Sequence, residues 1–338
     1  MKSTDTRPLG KSGLDIGVFG LGCAPLAGLY RATSDAEAEA ALRGAWDAGV
    51  RYFDTAPYYG HTRSEHRVGQ ALRDYPRGDF VLSTKVGRLM KPAPAAKEAN
   101  GWVDPLPFAP VYDYRHDAIL RSFEDSQQRL GMDRIDILLV HDIGRLTHGA
   151  LHDRYWRQLT DGGGFRALDE LRSSGQVKAV GLGVNEWEAV WDAMREFDLD
   201  CTLLAGRYTL LEQQTLSPLL EACVARGVGI LLGGPFNSGI LAGGVKGNRK
   251  FNYAEAPAEV IERVAALEAV CAQFDVPLPA AALQFPLAHP AVASCLPGGR
   301  SAAQLRQNID WFERPIPAAF WQALRAQGLL DPAAPVPA

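Results

Sequence analysis

Eight short apolar runs recur along this chain, and each is followed by a stretch long enough to form a helix. The runs are 18–21, 50–53, 80–84, 135–140, 179–182, 202–205, 229–232 and 293–296. The helical stretches are 35–48, 65–73, 116–130, 164–174, 187–197, 216–226, 258–274 and 302–312. Such alternation predicts parallel strands joined by crossover helices, and eight repeats are what an α/β fold of the (β/α)8 TIM barrel type requires. The punctuation agrees, with Ser34 and Ser301 at N-cap positions and Gly49, Gly131, Gly175 and Gly227 where C′ glycines belong.

Three parts fall outside the repeat. Residues 7–17 read as a hairpin plugging the amino-terminal end of the barrel, and 317–327 as an extra C-terminal helix ahead of a Pro/Ala tail, 328–338, expected to be mobile. Residues 86–115 hold many prolines with Trp102, Phe108, Tyr112 and Tyr114, and so long a loop leaving the Lys85 strand is expected on the substrate side. No linker divides the chain, so 1–338 reads as one barrel domain.

The 338 residues are 47% hydrophobic, enough for one large core, and a net charge of −4 without a dense Lys/Arg cluster argues against nucleic acid or an anionic membrane as partner. A small-molecule substrate is expected. Five scattered cysteines suggest neither a disulfide framework nor a thiolate zinc site, and His61, His66, His148 and His152 lack the spacing of a helical metal pair, so no metal is expected. Without an apolar signal core or an 18-residue apolar run, the expected compartment is the cytoplasm. Nothing in the sequence sets an oligomeric state.

Asp54 with Tyr59, then Lys85, then His141 stand at or just past the carboxyl ends of three of these runs, the rim where a (β/α)8 barrel gathers its chemistry. Pro57 and Gly60 put Tyr59 on a loop. A tyrosine hydroxyl is a poor base near neutrality, but an ammonium beside it favours the phenolate, so Lys85 is expected to lower its pKa from about 10. Asp54 would fix Lys85, and His141 would donate a hydrogen bond to a substrate oxygen. Such a group moves a proton at an oxygen while hydride moves at the attached carbon. Taken singly, the Asp–Lys pair can be only a salt bridge, and a lone histidine after a strand is more often structural than catalytic. Gly20–Pro25 imitates part of a dinucleotide fingerprint, but Pro25 intervenes before any helix and a Rossmann reading is set aside.

The order Asp54, Tyr59, Lys85, His141, with Asp and Tyr five apart in Asp54-Thr55-Ala56-x-x-Tyr59-Gly60, resembles the aldo-keto reductase superfamily. The resemblance runs from Leu9-Gly10-Lys11-Ser12-Gly13-Leu14 to Gln304-x-x-x-Asn308. It implies that these four residues are catalytic, that NAD is the cofactor with Arg300 leaving NADP open, and that Asn185 holds the nicotinamide carboxamide. Val184, Ala205 and Gly233 replace the serine, glutamine and stacking tyrosine usual there, with Arg207 and Tyr208 as candidate compensation. The remaining nucleotide contacts are expected from Gly22 and Cys23; from Gly233, Pro235, Phe236, Asn237, Ser238 and Gly239; and from Pro297, Gly298, Gly299, Arg300, Gln304 and Asn308. In the two later loops, backbone amides and a helix amino terminus make an anion site.

Stretches 122–138 and 203–211 look like the branch of that superfamily that oxidises cyclic hemiacetals to lactones. The leading expectation is oxidation at C1 of a free aldose of the L-fucose or D-arabinose type. The alternative is pyridoxal 4-dehydrogenase activity, and a rival of another class is a cofactor-sensing regulatory subunit. Tyr30, Tyr58 and Trp102 are expected to stack on the substrate.

Overall fold

The structure, a computed structural model, describes residues 1–337. Eight parallel strands follow one another in chain order around a sheet: β1 (Leu21–Gly22), β2 (Tyr52–Asp54), β3 (Val81–Val86), β4 (Ile137–His141), β5 (Ala179–Val184), β6 (Cys201–Ala205), β7 (Gly229–Gly233) and β8 (Val292–Leu296). Parallel bridges Phe19–Cys295 and Gly22–Gly298 bring β8 back to β1 and complete the circle. Helices α1 (Asp35–Asp47), α2 (Arg63–Leu72), α3 (His116–Leu130), α4 (Gly164–Ser173), α5 (Trp187–Glu196), α6 (Glu221–Arg226), α7 (Ala258–Gln273) and α8 (Ala302–Glu313) surround it.

Side chains alternate along each strand. Ile137, Leu139, Ala179, Cys201, Leu203 and Leu231 meet in the barrel interior. Leu82, Leu138, Val140, Val180, Leu182, Leu204, Ile230 and Leu232 belong instead to the layer between strands and helices. Both faces are covered, which is why the runs read as continuously apolar. The inner row of β4 passes from Ile137 and Leu139 to His141, and that of β3 from Val81 to Ser83 and Lys85. Two of the expected site residues therefore continue the inward-facing parity at the carboxyl rim.

The expected hairpin forms from Thr6–Pro8 and Asp15–Gly17. Leu9 and Ile16 are fully buried in the interior cluster, and Lys11 N donates to Gly227 O at 2.8 Å just below β7. Gly10 is required here: at φ +53° a Cβ would lie 2.2 Å from Gly227 O. An extra helix occupies Ala318–Ala326. Of the following tail, expected to be mobile from its composition, the described part is docked at Ala334, which is buried and whose carbonyl oxygen accepts from Arg325; Ala338 lies outside the described residues.

One helix is shorter than its pattern. Pro218 holds the preceding Ser217 extended (φ −130°, ψ 134°), so regular helix starts at Glu221 rather than 216. The proline-rich segment after β3 is two nested hairpins. Arg88–Pro92 pairs with Phe108–Tyr112, and within that span Glu98–Ala99 pairs with Trp102–Val103. Among the described residues, no single helix is long and apolar enough to cross a membrane.

Candidate active site

Asp54 ends β2, Lys85 lies in β3 and His141 ends β4, and register places Asp54 beside Ser83, Lys85 beside Leu139 and His141 beside Gly183. Lys85 is 1% exposed. Its Nζ donates to Asp54 Oδ1 at 2.9 Å, to Asp54 Oδ2 at 2.8 Å and to Thr55 O at 2.9 Å. Ser83 Oγ adds a bond to Asp54 Oδ1 at 2.7 Å. The lysine stem crosses Gly183, where a Cβ would stand 2.9 Å from Lys85 Cε. Sequence reading missed that glycine, because its role depends on which strand neighbours β3 across β4.

Tyr59 follows on the loop after β2, with its ring centroid 4.7 Å from Lys85 Nζ and 5.8 Å from the His141 ring. Burial, then Asp54 and Asp142, push its hydroxyl pKa well above 10, against the pull of Arg88. This corrects the expected lowering: burial of the hydroxyl is the larger cause, and the ammonium of Lys85 is paired with Asp54 and does not act on Tyr59 as an isolated cation. His141 is held well below 6.5 by burial, then by the Arg88 and Lys85 charges, and is neutral at pH 7. Its Nδ1 is buried without a partner, and Nε2 is 3.5 Å from Asp142 Oδ2.

Above this group lies a cavity of about 350 Å³. Tyr30, Tyr58, Tyr59 and Trp102 form its aromatic wall, with Lys85, His141, Asp142 and Asn185 among the polar lining. Trp102 arrives on the inner hairpin, its ring 5.6 Å from Tyr59 and 5.9 Å from Tyr58. Leu29 and Trp102 form a bridge, and Tyr30 N donates to Gly101 O at 2.7 Å, so the loop after β1 and the hairpin close this side together.

A second cleft of about 330 Å³ opens onto Tyr59 and runs past Gly22, Gly233, Pro235, Phe236, Ser238 and Gly239 to Gly298, Gly299, Arg300 and Gln304. At its far end Ser301 caps α8 by accepting from Gln304 N. The backbone there is packed too closely for side chains: a Cβ on Gly298 would meet Pro25 Cγ at 2.6 Å, and one on Gly299 would meet Leu305 Cδ2 at 2.9 Å.

A profile of the Aldo/keto reductase family matches residues 18–327. The chain belongs to the aldo/keto reductase family. It is 52% identical over 341 aligned residues to pyridoxal 4-dehydrogenase of Microbacterium luteolum, spanning 98% of this chain and 99% of that protein. With D-threo-aldose 1-dehydrogenase of a Pseudomonas species it shares 42% over 94% of this chain and 96% of the other. The fold matches that of the aldo-keto reductase AKR11C1 from Bacillus halodurans in its holo form, with a TM-score of 0.74 and 24% identity, covering 98% of each chain. This aldo/keto reductase is therefore an NAD(P)-dependent oxidoreductase acting on CH–OH groups.

The second cleft suits the family's dinucleotide, since it joins the Tyr59 pocket at one end and offers backbone amides and the amino end of α8 at the other. Not every residue expected at the nucleotide reaches it. Cys23 is wholly buried beneath the cleft. Asn237 is turned inward, bonded to Thr209 Oγ1 at 2.6 Å and Gly206 O at 3.1 Å, and Asn308 donates to Gly298 O at 3.1 Å. Pro297 takes Gly22 N on its carbonyl oxygen at 3.1 Å. These residues shape the loops from behind. Tyr208 is buried against Phe285 and His289 and is no substitute for the missing contacts. Arg207 Nε donates to Asn185 O at 2.6 Å. Arg300 donates to Leu29 O, tying the loop after β8 to the loop after β1.

Proposed function

We propose that this enzyme oxidises pyridoxal, in its internal hemiacetal form, to the corresponding lactone, with NAD as the preferred acceptor. The observation that carries this reading is the 52% identity to pyridoxal 4-dehydrogenase along essentially the whole chain. It favours pyridoxal over the free aldose expected from sequence, whose dehydrogenase relative is less similar. The aromatic wall of Tyr30, Tyr58 and Trp102 supports a flat pyridine ring as occupant.

The bound nucleotide supplies a hydride acceptor. Tyr59, in the phenolate form that alkaline pH supplies, takes the proton of the hemiacetal hydroxyl as the carbon bearing it loses hydride, leaving a carbonyl in the lactone ring. Lys85 and Asp54 hold the floor beneath Tyr59 in one geometry, and neutral His141 directs a ring N–H at the reacting oxygen. Asn185 is the residue proposed to hold the nicotinamide carboxamide. Preference for NAD rests on Gln304, whose Oε1 accepts from Arg300 N at 2.9 Å, and on the bond of the Arg300 guanidinium to Leu29, because a 2′-phosphate needs an uncommitted cation.

Initial rates with NAD and NADP across pyridoxal, L-fucose, D-arabinose and L-galactose test the reading. Pyridoxal with NAD should give the highest kcat/KM, and a higher value for any sugar would reverse the substrate assignment. Tyr59→Phe should lower kcat by about a hundredfold or more with nucleotide affinity nearly unchanged, since only the hydroxyl is lost.

A further inference from the structure

Arg88 stands three residues after Lys85 and begins the outer hairpin, where it is 4% exposed. Its guanidinium lies 2.5 Å from Asp142 Oδ2 and 4.3 Å over the ring of Tyr58. Asp142 follows His141 with φ +41°, a left-handed conformation that aspartate adopts more readily than most residues other than glycine. The other oxygen of that carboxylate, Oδ1, is 3.1 Å from Asn185 Nδ2. On the far side of the amide, Tyr253 Oη donates to Asn185 Oδ1 at 3.1 Å.

A carboxylate only accepts hydrogen bonds, so the end of the Asn185 amide that faces Asp142 has to be its NH₂. The amide oxygen is thereby turned toward Tyr253 and the cavity. Val184 and Ala205, which line the same cavity, have no polar group to perform this orientation. We propose that the buried Arg88–Asp142 pair is a positioning device for the nicotinamide: Arg88 anchors Asp142, and Asp142 fixes which end of the Asn185 amide is presented to the cofactor. The same pairing prevents an uncompensated carboxylate from standing beside His141. This inference rests on Asn185 as the carboxamide contact and is independent of which alcohol is oxidised.

Calorimetric titration with NADH and with ADP-ribose, which lacks the nicotinamide, separates positioning from general structural support. In the double variant Arg88→Met, Asp142→Leu, which leaves no unpaired buried charge, the Kd of NADH should rise about tenfold while that of ADP-ribose stays within about twofold. Asn185→Ala should show the same selective loss, and combining all three changes should add little, as expected of residues acting through one another. Asp142→Asn keeps the volume but can donate as well as accept, so it frees the amide to turn and should give a selective loss of about threefold. Equal losses for the two ligands, additive losses in the combined variant, or a parental NADH to ADP-ribose ratio in Asp142→Asn would each overturn the proposal. If Asn185→Ala alone leaves the ratio unchanged, its premise fails. Neither ligand involves pyridoxal, so the result does not depend on the substrate assignment.

Discussion

At Tyr59, a cation close to the ring coexists with a hydroxyl whose pKa is raised, first because the hydroxyl is buried and then because the Asp54 carboxylate stands close by. With both carboxylate oxygens on Lys85 Nζ, Asp54 offsets the charge of that cation beside the tyrosine. Converting Asp54 to asparagine removes the anion and leaves the ammonium, which stabilises the phenolate. The alkaline limb of kcat/KM for oxidation should therefore move to lower pH in Asp54→Asn, read from profiles between about pH 6 and 10.5. A limb at the same or higher pH would show that Asp54 does not set the acidity of Tyr59. Gly183 offers a second test at this scale. A methyl group there has to displace the Lys85 stem, so Gly183→Ala should cost about 1–3 kcal/mol of stability by overpacking and lower kcat by about tenfold. Thermal melts and steady-state kinetics on the same preparation check both effects.

Among the elements, the nested hairpins after β3 do most to distinguish this barrel's pocket, because they deliver Trp102 to the cavity and Arg88 to Asp142. Trp102→Ala should raise the KM for pyridoxal by about tenfold and leave the Kd of NADH unchanged, since the ring lines the substrate cavity and is not part of the second cleft. These hairpins were not legible in the sequence. Their strands pair across a gap, Arg88 with Tyr112 and Leu89 with Val111, and the prolines at 92 and 110 resemble loop punctuation until that pairing is seen. The elements with local signals were legible. Ser34 caps α1 in a box with Glu37, Ser301 caps α8, and Gly49, Gly131, Gly175 and Gly227 all take positive φ at helix ends. Asp54, Tyr59, Lys85 and His141 were found from their places after apolar runs. Asp142 and Tyr253 were not, because hydrogen-bond partners separated by 43 and 68 positions from Asn185 leave no trace in either local sequence.

For the molecule as a whole, the histidines set the response to acid. Burial is the first cause holding His61, His66, His141 and His289 below 6.5, and it lowers His148 to about 4. Only His116, bonded to Asp117 and Glu170, is raised. Below pH 6.5 the unfolded chain thus binds protons that the folded chain refuses, and stability rises with pH across this window. The melting temperature should fall steadily from pH 7 to pH 5, before most carboxylates titrate, and a flat profile would contradict the burial of these imidazoles. The barrel interior is filled by side chains, and the two cavities at its carboxyl rim share Tyr30, Tyr59, Leu203, Ala205 and Tyr253 as common lining. An alcohol molecule that settles first against this shared lining obstructs the nicotinamide end of the nucleotide, so turnover should decline at saturating alcohol and recover as nucleotide is added.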